Sequence, residues 1–139
     1  MKNNKKNDLW TLKRIKRLPK RADGLKPYMV YAYTFRSLLE CASSRYQNRL
    51  ALSVWQDEAS EVSYRELGYK CRNFGLFLLS RGYRKGDKVL LMGESCPTWM
   101  VAYLGLTSVG LTAVPVLPEF STKDVQNIID ESGVKGCIV

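Results

Sequence analysis

The chain has 139 residues, 45% of them hydrophobic, with 22 Lys and Arg against 13 Asp and Glu, material for about one folded domain with one core. It contains no histidine, so a Ser-His-Asp triad, a Cys-His dyad, a His-ligated zinc and imidazole acid–base chemistry are excluded. The formal charge of +9 is unevenly placed, because residues 1–26 carry +8 and residues 27–139 only +1.

Residues 1–30 form a polar, basic leader in which Asp8 is placed to cap a short amphipathic turn through Leu9, Trp10, Leu12, Ile15 and Leu18, stopped by Pro19. Trp and Leu set among Lys and Arg suit a segment lying on an anionic membrane surface. Residues 1–26 read either as an electrostatic arm for phosphate, on lipid or RNA, or as a solvated tail without a partner. The folded part is nearly neutral and offers no basic recognition face, so no nucleic-acid partner is expected. The leader lacks the apolar stretch of a secretion signal, and Cys41, Cys71, Cys96 and Cys137 contain no CxxC pair. Reduced thiols buried in the core of a cytoplasmic chain are expected, with membrane association on the cytoplasmic face through the leader as a further expectation. A zinc site usually draws on closer pairs.

From Thr34, a helix cap, the residues Phe35, Leu38, Leu39, Ala42 and Tyr46 fall at helical spacing up to Gln47-Asn48. A strand Leu50–Trp55 follows, then a polar turn Gln56–Ser60, then Glu61-Val62-Ser63 pairing back as an antiparallel hairpin. Ser63-Tyr64-Arg65-Glu66 is a capping box, and Tyr64, Leu67, Cys71, Phe74 and Leu78 make one helix face that ends at Gly82. After the turn Lys85-Gly86-Asp87 come strand Lys88–Gly93, helix Pro97–Val109, strand Leu111–Val116, helix Thr122–Glu131 and strand Val134–Val139. Ser95 with Pro97 marks the start of the helix Pro97–Val109.

This order predicts an α/β fold: a partial doubly wound, mostly parallel sheet (β-α-β-α-β) preceded by a helix, a β-hairpin and a further helix. Sites in such sheets lie at the strands' carboxyl ends, here Gly93-Glu94-Ser95 and Pro115 to Phe120. Residues 95–118 carry no charge, but Gly105, Gly110 and Pro115 interrupt them, and a helix plus a buried strand fits better than a membrane span.

Motifs for catalysis are sparse. There is no GxxxxGK[ST], GxGxxG or GxSxG, hence no phosphate cradle and no nucleophile elbow. Asp87 and Glu94 bracket one strand and stand about 20 Å apart, too far to act as an acid–base pair on one bond; turn formation and helix capping are their expected roles. Trp99 and Tyr103, four apart on a helix, either line an apolar ligand channel or pack the core. Arg81, Arg84, Lys85 and Lys88 form a local basic patch, either a phosphate contact or a solvated loop.

The run Ser63-Tyr64-Arg65-Glu66-Leu67, Gly82 through Val89, Trp99, Tyr103-Leu104-Gly105, Gly110 and Ala113-Val114-Pro115-Val116 resembles the amino-terminal part of the AMP-binding, adenylate-forming superfamily, with acyl-CoA synthetases most alike. Those proteins open with a (T/S)-Y-x-E-L helix start, a G-x-x-x-G-D-x-V strand, an N-x-P-E-W helix and a small-residue helix ending in G-x-x-x-V-P. The resemblance covers Thr34 to Val139 and departs at Ser95, where the family has Asn, and at Thr98, where it has Glu.

The basic leader resembles that of a bacterial long-chain fatty acid–CoA ligase. The resemblance implies a long-chain fatty acid as substrate and a two-step reaction. ATP and the acid give acyl-adenylate and pyrophosphate, then coenzyme A takes the acyl group, with Mg2+ screening the phosphates. It also implies that the Ser/Thr/Gly-rich loop ending in Pro-Lys, the aromatic-Gly-x-Thr-Glu segment, the ribose-binding Asp and the carboxy-terminal lysine lie downstream. No catalytic, cofactor-binding or metal residue is therefore assigned here. Residues 31–139 are expected to be a truncated, incomplete domain, inactive alone. The rival expectations are a membrane-surface or protein-interaction module and a small nucleotide- or flavin-binding domain.

Overall fold

The computed structural model describes residues 34–55 and 57–139; the expected leader turn at 8–19 and the membrane arm at 1–26 lie outside the described residues. Helix α1 (Phe35–Tyr46) begins at Thr34, whose hydroxyl accepts from the Ser37 N–H at 3.1 Å while the Thr34 N–H donates to Ser37 Oγ at 3.1 Å. Each side chain thus satisfies one of the donors that a helix start leaves open.

Strands β1 (Leu50–Val54) and β2 (Asp57–Ser63) pair antiparallel. The turn is tighter than the polar run Gln56–Ser60 implies, because residues 57–60 are strand. The Ser60 hydroxyl accepts from the Val54 N–H and donates to the Asp57 carbonyl, both at 2.8 Å. A polar side chain thereby completes the irregular ladder and removes the need for a longer loop.

Helix α2 (Tyr64–Ser80) carries the expected capping box: Glu66 N–H donates to Ser63 Oγ at 3.3 Å and Ser63 N–H to Glu66 Oε2 at 2.9 Å. The Ser63 N–H, and after it the Ser63 hydroxyl at 2.8 Å, donate to Glu66 Oε2, favour the ionised carboxyl and lower its pKa. Its buried stripe is Leu67, Cys71, Gly75 and Leu78.

Strand β3 (Lys88–Met92), α3 (Pro97–Ser108), β4 (Thr112–Val116), α4 (Thr122–Ser132) and β5 (Gly136–Ile138) follow in the expected alternation. The sheet order is β4-β3-β5 with both pairings parallel. The central strand reads Val89-Leu90-Leu91 because it is covered on both faces. Val89 and Leu91 join Leu78, Ala102, Leu106 and Leu111 in the main core, and a second cluster of Val62, Leu67 and Cys71 lies under the hairpin.

Residues 95–118 divide into loop, α3 and β4, and no described helix is long and apolar enough to cross a membrane. The cysteines are a correction. Only Cys71 is buried, Cys41 is half-buried, and Cys96 and Cys137 are exposed. Cys96 stands at a helix start and Cys137 on a strand paired, among the described strands, only with β3. Burial pushes the Cys71 thiol up to about 11, so it stays protonated and donates weakly to the Val101 carbonyl at 3.6 Å.

Candidate functional site

The carboxyl edge of the parallel sheet is built by residues 93–96 after β3 and 117–121 after β4. Met92 pairs with Val116, so the two loops leave the sheet side by side. Glu94, Ser95, Cys96 and residues 117–121 are exposed, Leu117 to 61%.

Cys96, and not Ser95, caps α3. Its backbone is extended and its Sγ accepts from the Trp99 N–H at 3.4 Å. Pro97 fixes the first helical position, so the residue directly before it must be the cap, and there a sulfur takes the part of the usual hydroxyl.

Trp99 lies close over Gly93, where a Cβ would stand 3.4 Å from its ring. Its ring stacks on Tyr103 at 5.5 Å, and Tyr103 meets Phe35 edge-on at 6.0 Å. Trp99 and Tyr103 pack on the main core. Of the two readings of this pair, core packing is the one observed.

Asp87 and Glu94 stay at opposite ends of β3. Asp87 Oδ2 accepts from Lys135 Nζ at 2.6 Å and from the Arg84 N–H at 2.7 Å, and Lys135 also donates to the Gly82 carbonyl at 3.0 Å. The Lys135 hydrogen bond, then that of Arg84, holds the Asp87 carboxyl below its usual range. Asp87 is therefore a turn-forming residue that ties the start of β5 to the α2–β3 connection. Lys135 was not legible as its partner, because 48 positions separate them and no local pattern marks the pair.

That linkage has a pH signature. A depressed folded pKa contributes stability above the unfolded value, about 3.9, and the contribution is lost as pH falls through the folded value. Asp87→Asn is expected to be less stable than the unsubstituted chain at neutral pH. The two should converge below about pH 4, as checked by urea midpoints across that range.

The basic patch is used within the fold. The Arg81 guanidinium lies 5.2 Å over the Phe77 ring, Lys88 Nζ donates to the Ser132 carbonyl at 2.7 Å, and the Lys85 stem packs beside Gly110. Arg84 contributes its backbone N–H to the Asp87 turn. A cleft of about 520 Å³ between the hairpin and the start of α3 adjoins the edge, with Asp57, Glu61, Lys70, Cys96 and Thr98 among its lining residues.

A nucleotide triphosphate with its magnesium does not fit the edge as these residues build it. Residues 93–99 and 117–121 contribute Glu94 and Glu119 and no Lys or Arg, whereas phosphates need cationic and N–H donors. Among the described residues no group of three or more His, Cys, Asp or Glu is placed to hold a metal.

The family model described as AMP-binding enzyme matches residues 39–139. The uncharacterized acyl–CoA ligase YtcI of Bacillus subtilis is 29% identical over 89 residues, covering 62% of this chain and 17% of that protein. The long-chain-fatty-acid–CoA ligase of Salmonella typhimurium is 27% identical over 103 residues, covering 73% and 18%. Among solved structures, the N-terminal subdomain of Klebsiella oxytoca NpsA superposes with a TM-score of 0.69 at 25% identity, covering 76% of this chain and 27% of that one. The chain thus spans less than a fifth of the length of either ligase. It belongs to the AMP-binding enzyme family, and what it matches is the amino-terminal part of that fold.

Proposed function

We propose that the chain is the amino-terminal segment of an ATP-dependent long-chain fatty acid–CoA ligase. The observation that carries this reading is the family match across residues 39–139, joined to the likeness to a long-chain-fatty-acid–CoA ligase over 73% of the chain. The basic leader supports the long-chain assignment, since an acid with a long alkyl chain partitions into membranes and a +8 arm would hold the enzyme at an anionic cytoplasmic surface.

In this reading the segment supplies scaffold. The Cys96 cap and the Trp99 ring over Gly93 fix the start of α3 at the carboxyl edge, and the Tyr103–Phe35 contact ties α3 to α1. ATP, Mg2+ and coenzyme A are held by the family's phosphate loop and lysine, which have no counterpart among these 139 residues. Without those donors the charge that develops on adenylation is unstabilised, and the segment alone does not turn over.

The test is acid-dependent ATP–pyrophosphate exchange, measured on the 139-residue chain and on the same chain joined to the part of the Salmonella typhimurium ligase that lies beyond its matched region. The chain alone should show none, and the joined protein should exchange with palmitate in preference to acetate or benzoate. Exchange by the chain alone would overturn the scaffold role. Preference of the joined protein for short or aromatic acids would count against the long-chain reading.

A further inference from the structure

We propose that the carboxyl edge of the sheet is the docking surface for the chain's own basic leader, residues 1–26. The leader sets its cations against Glu94, Glu119 and Asp124 and its apolar side chains on Leu117 and Phe120. Leu117 is 61% exposed and Phe120 43%, and the Phe120 N–H donates to the Leu117 carbonyl at 3.2 Å, so one tight turn presents both. Exposed Glu119 lies within that turn, and exposed Glu94 leaves the neighbouring strand, since Met92 and Val116 are paired. Asp124 stands in the first turn of α4, directly after the loop.

Charge selects the occupant. Residues 89–134 carry Glu94, Glu119, Asp124, Asp130 and Glu131 against Lys123, a net −4, whereas residues 27–88 carry +4. All five acids are exposed, and among the described residues none of them is paired with a Lys or Arg. A leader of +8 is therefore drawn to this half of the fold and repelled by the other. The exposed Leu76 and Phe77 of α2 suit it poorly, because the Arg81 guanidinium already lies 5.2 Å over the Phe77 ring.

Position supplies the second argument. The leader joins the fold at the start of α1, where Phe35 meets Tyr103 at 6.0 Å; Tyr103 stacks on Trp99 at 5.5 Å, and Trp99 lies over Gly93. Two ring contacts thus separate the point of entry from the residue before Glu94. Residues 27–33 can span up to about 25 Å, more than that path, so Lys26 and the residues before it reach the edge with no rearrangement of the described fold.

The leader's sequence matches both features of the surface. Leu9, Trp10, Leu12, Ile15 and Leu18 are interleaved with Lys13, Arg14, Lys16 and Arg17. Burial of the aromatic and aliphatic groups on Leu117 and Phe120 supplies most of the attraction, while ion pairs at an exposed edge add little energy and fix the place. A docked leader covers the opening between the two loops and brings to it the cations that residues 93–99 and 117–121 lack. The inference stands apart from the ligase reading, in which the same cations meet an anionic membrane; the edge is their seat where no membrane is present.

The test is carbodiimide cross-linking of the full chain without lipid, which joins a lysine amine to a carboxylate only where the two touch, with the joined peptides read by mass spectrometry. Lys13, Lys16 and Lys20 should join to Glu94, Glu119 and Asp124 in the monomeric band. The yield should be independent of chain concentration and fall away in about 1 M salt, where the screening length is about 3 Å. Trp10→Ala, which alters no described residue, should lower it severalfold. Glu94→Gln combined with Glu119→Gln should do the same, read at Asp124. Cross-links confined to a dimeric band and rising with concentration assign the surface to the leader of a second copy and overturn the proposal. It is overturned equally by an absence of leader cross-links, by their even spread over Glu40, Glu61 and Glu66, or by a yield that both sets of substitutions leave unchanged.

Discussion

Gly105→Val is expected to cost about 3 kcal/mol of stability, read as a fall in the urea midpoint at unchanged slope. A Cβ at Gly105 would stand 3.0 Å from the Cys71 carbonyl oxygen and 3.0 Å from Phe74 Cδ1. The ring can tilt away, but the carbonyl belongs to the α2 ladder and cannot. Gly75 meets the same interface from the other side, its Cβ falling 2.6 Å from Val109 Cγ1 and 3.0 Å from the Gly105 carbonyl. Glycine faces helix backbone in both directions, so α2 and α3 approach more closely than helices with ordinary side chains can. Separating them would also loosen Leu78 and Leu106, which meet in the main core. Gly105→Ala provides the graded control, because its gain of about 1 kcal/mol in helix propensity partly offsets the clash. A loss below about 1 kcal/mol for the valine variant would show that the helices part without cost and that the glycine contact does not set their spacing.

What was legible in the sequence is what is local. Thr34 as a cap and Ser63 with Glu66 as a capping box announce two helix starts because a cap closes over three residues; that Ser37 completes a box at Thr34 emerged only in the structure. The apolar step through Leu67, Cys71 and Leu78 repeats within one helix, and the β-α-β-α-β order follows from short strands alternating with helical periods. The resemblance to AMP-binding enzymes rested on several such local motifs in order, and the family match over residues 39–139 bears it out.

What was not legible depends on chain brought together from afar or on an unusual atom in a common role. Gly75 and Gly105 form the contact between two helices, and no local pattern marks that pairing. Lys135 finds Asp87 across 48 residues. Cys96 does a serine's work at the α3 cap, and Ser60 shortens a turn that its polarity seemed to lengthen. At the carboxyl edge the position was legible from topology, but its chemistry was not, because Gly93 to Pro97 and Leu117 to Ser121 hold no constellation that fixes a phosphate.

Leu90→Ala is expected to destabilise as much as Leu91→Ala, about 2–5 kcal/mol each, and the equality is the informative part. Successive side chains on β3 point to opposite faces, yet Leu90 and Leu91 are each 1% exposed. Leu91 faces the core shared with α2 and α3. The β4-α4-β5 connection steps back across β3, opposite in direction to β3-α3-β4, so two right-handed crossovers put α3 and α4 on opposite faces. Helix α4 carries Val125, Ile128 and Ile129, all half-buried, at the spacing of one apolar stripe. On this topology the stripe is expected to cover Leu90, so Ile129→Ala combined with Leu90→Ala should cost less than the two separate losses added, since both would empty one space. A one-sided sheet would give a Leu90→Ala loss within about 1 kcal/mol and strictly additive behaviour with Ile129→Ala. The distinction reaches the candidate site, because α4 begins directly after residues 117–121. A helix seated on the second face holds that loop beside Gly93 to Cys96 and gives the carboxyl edge its shape; a helix that merely lies in solvent would leave the edge unformed.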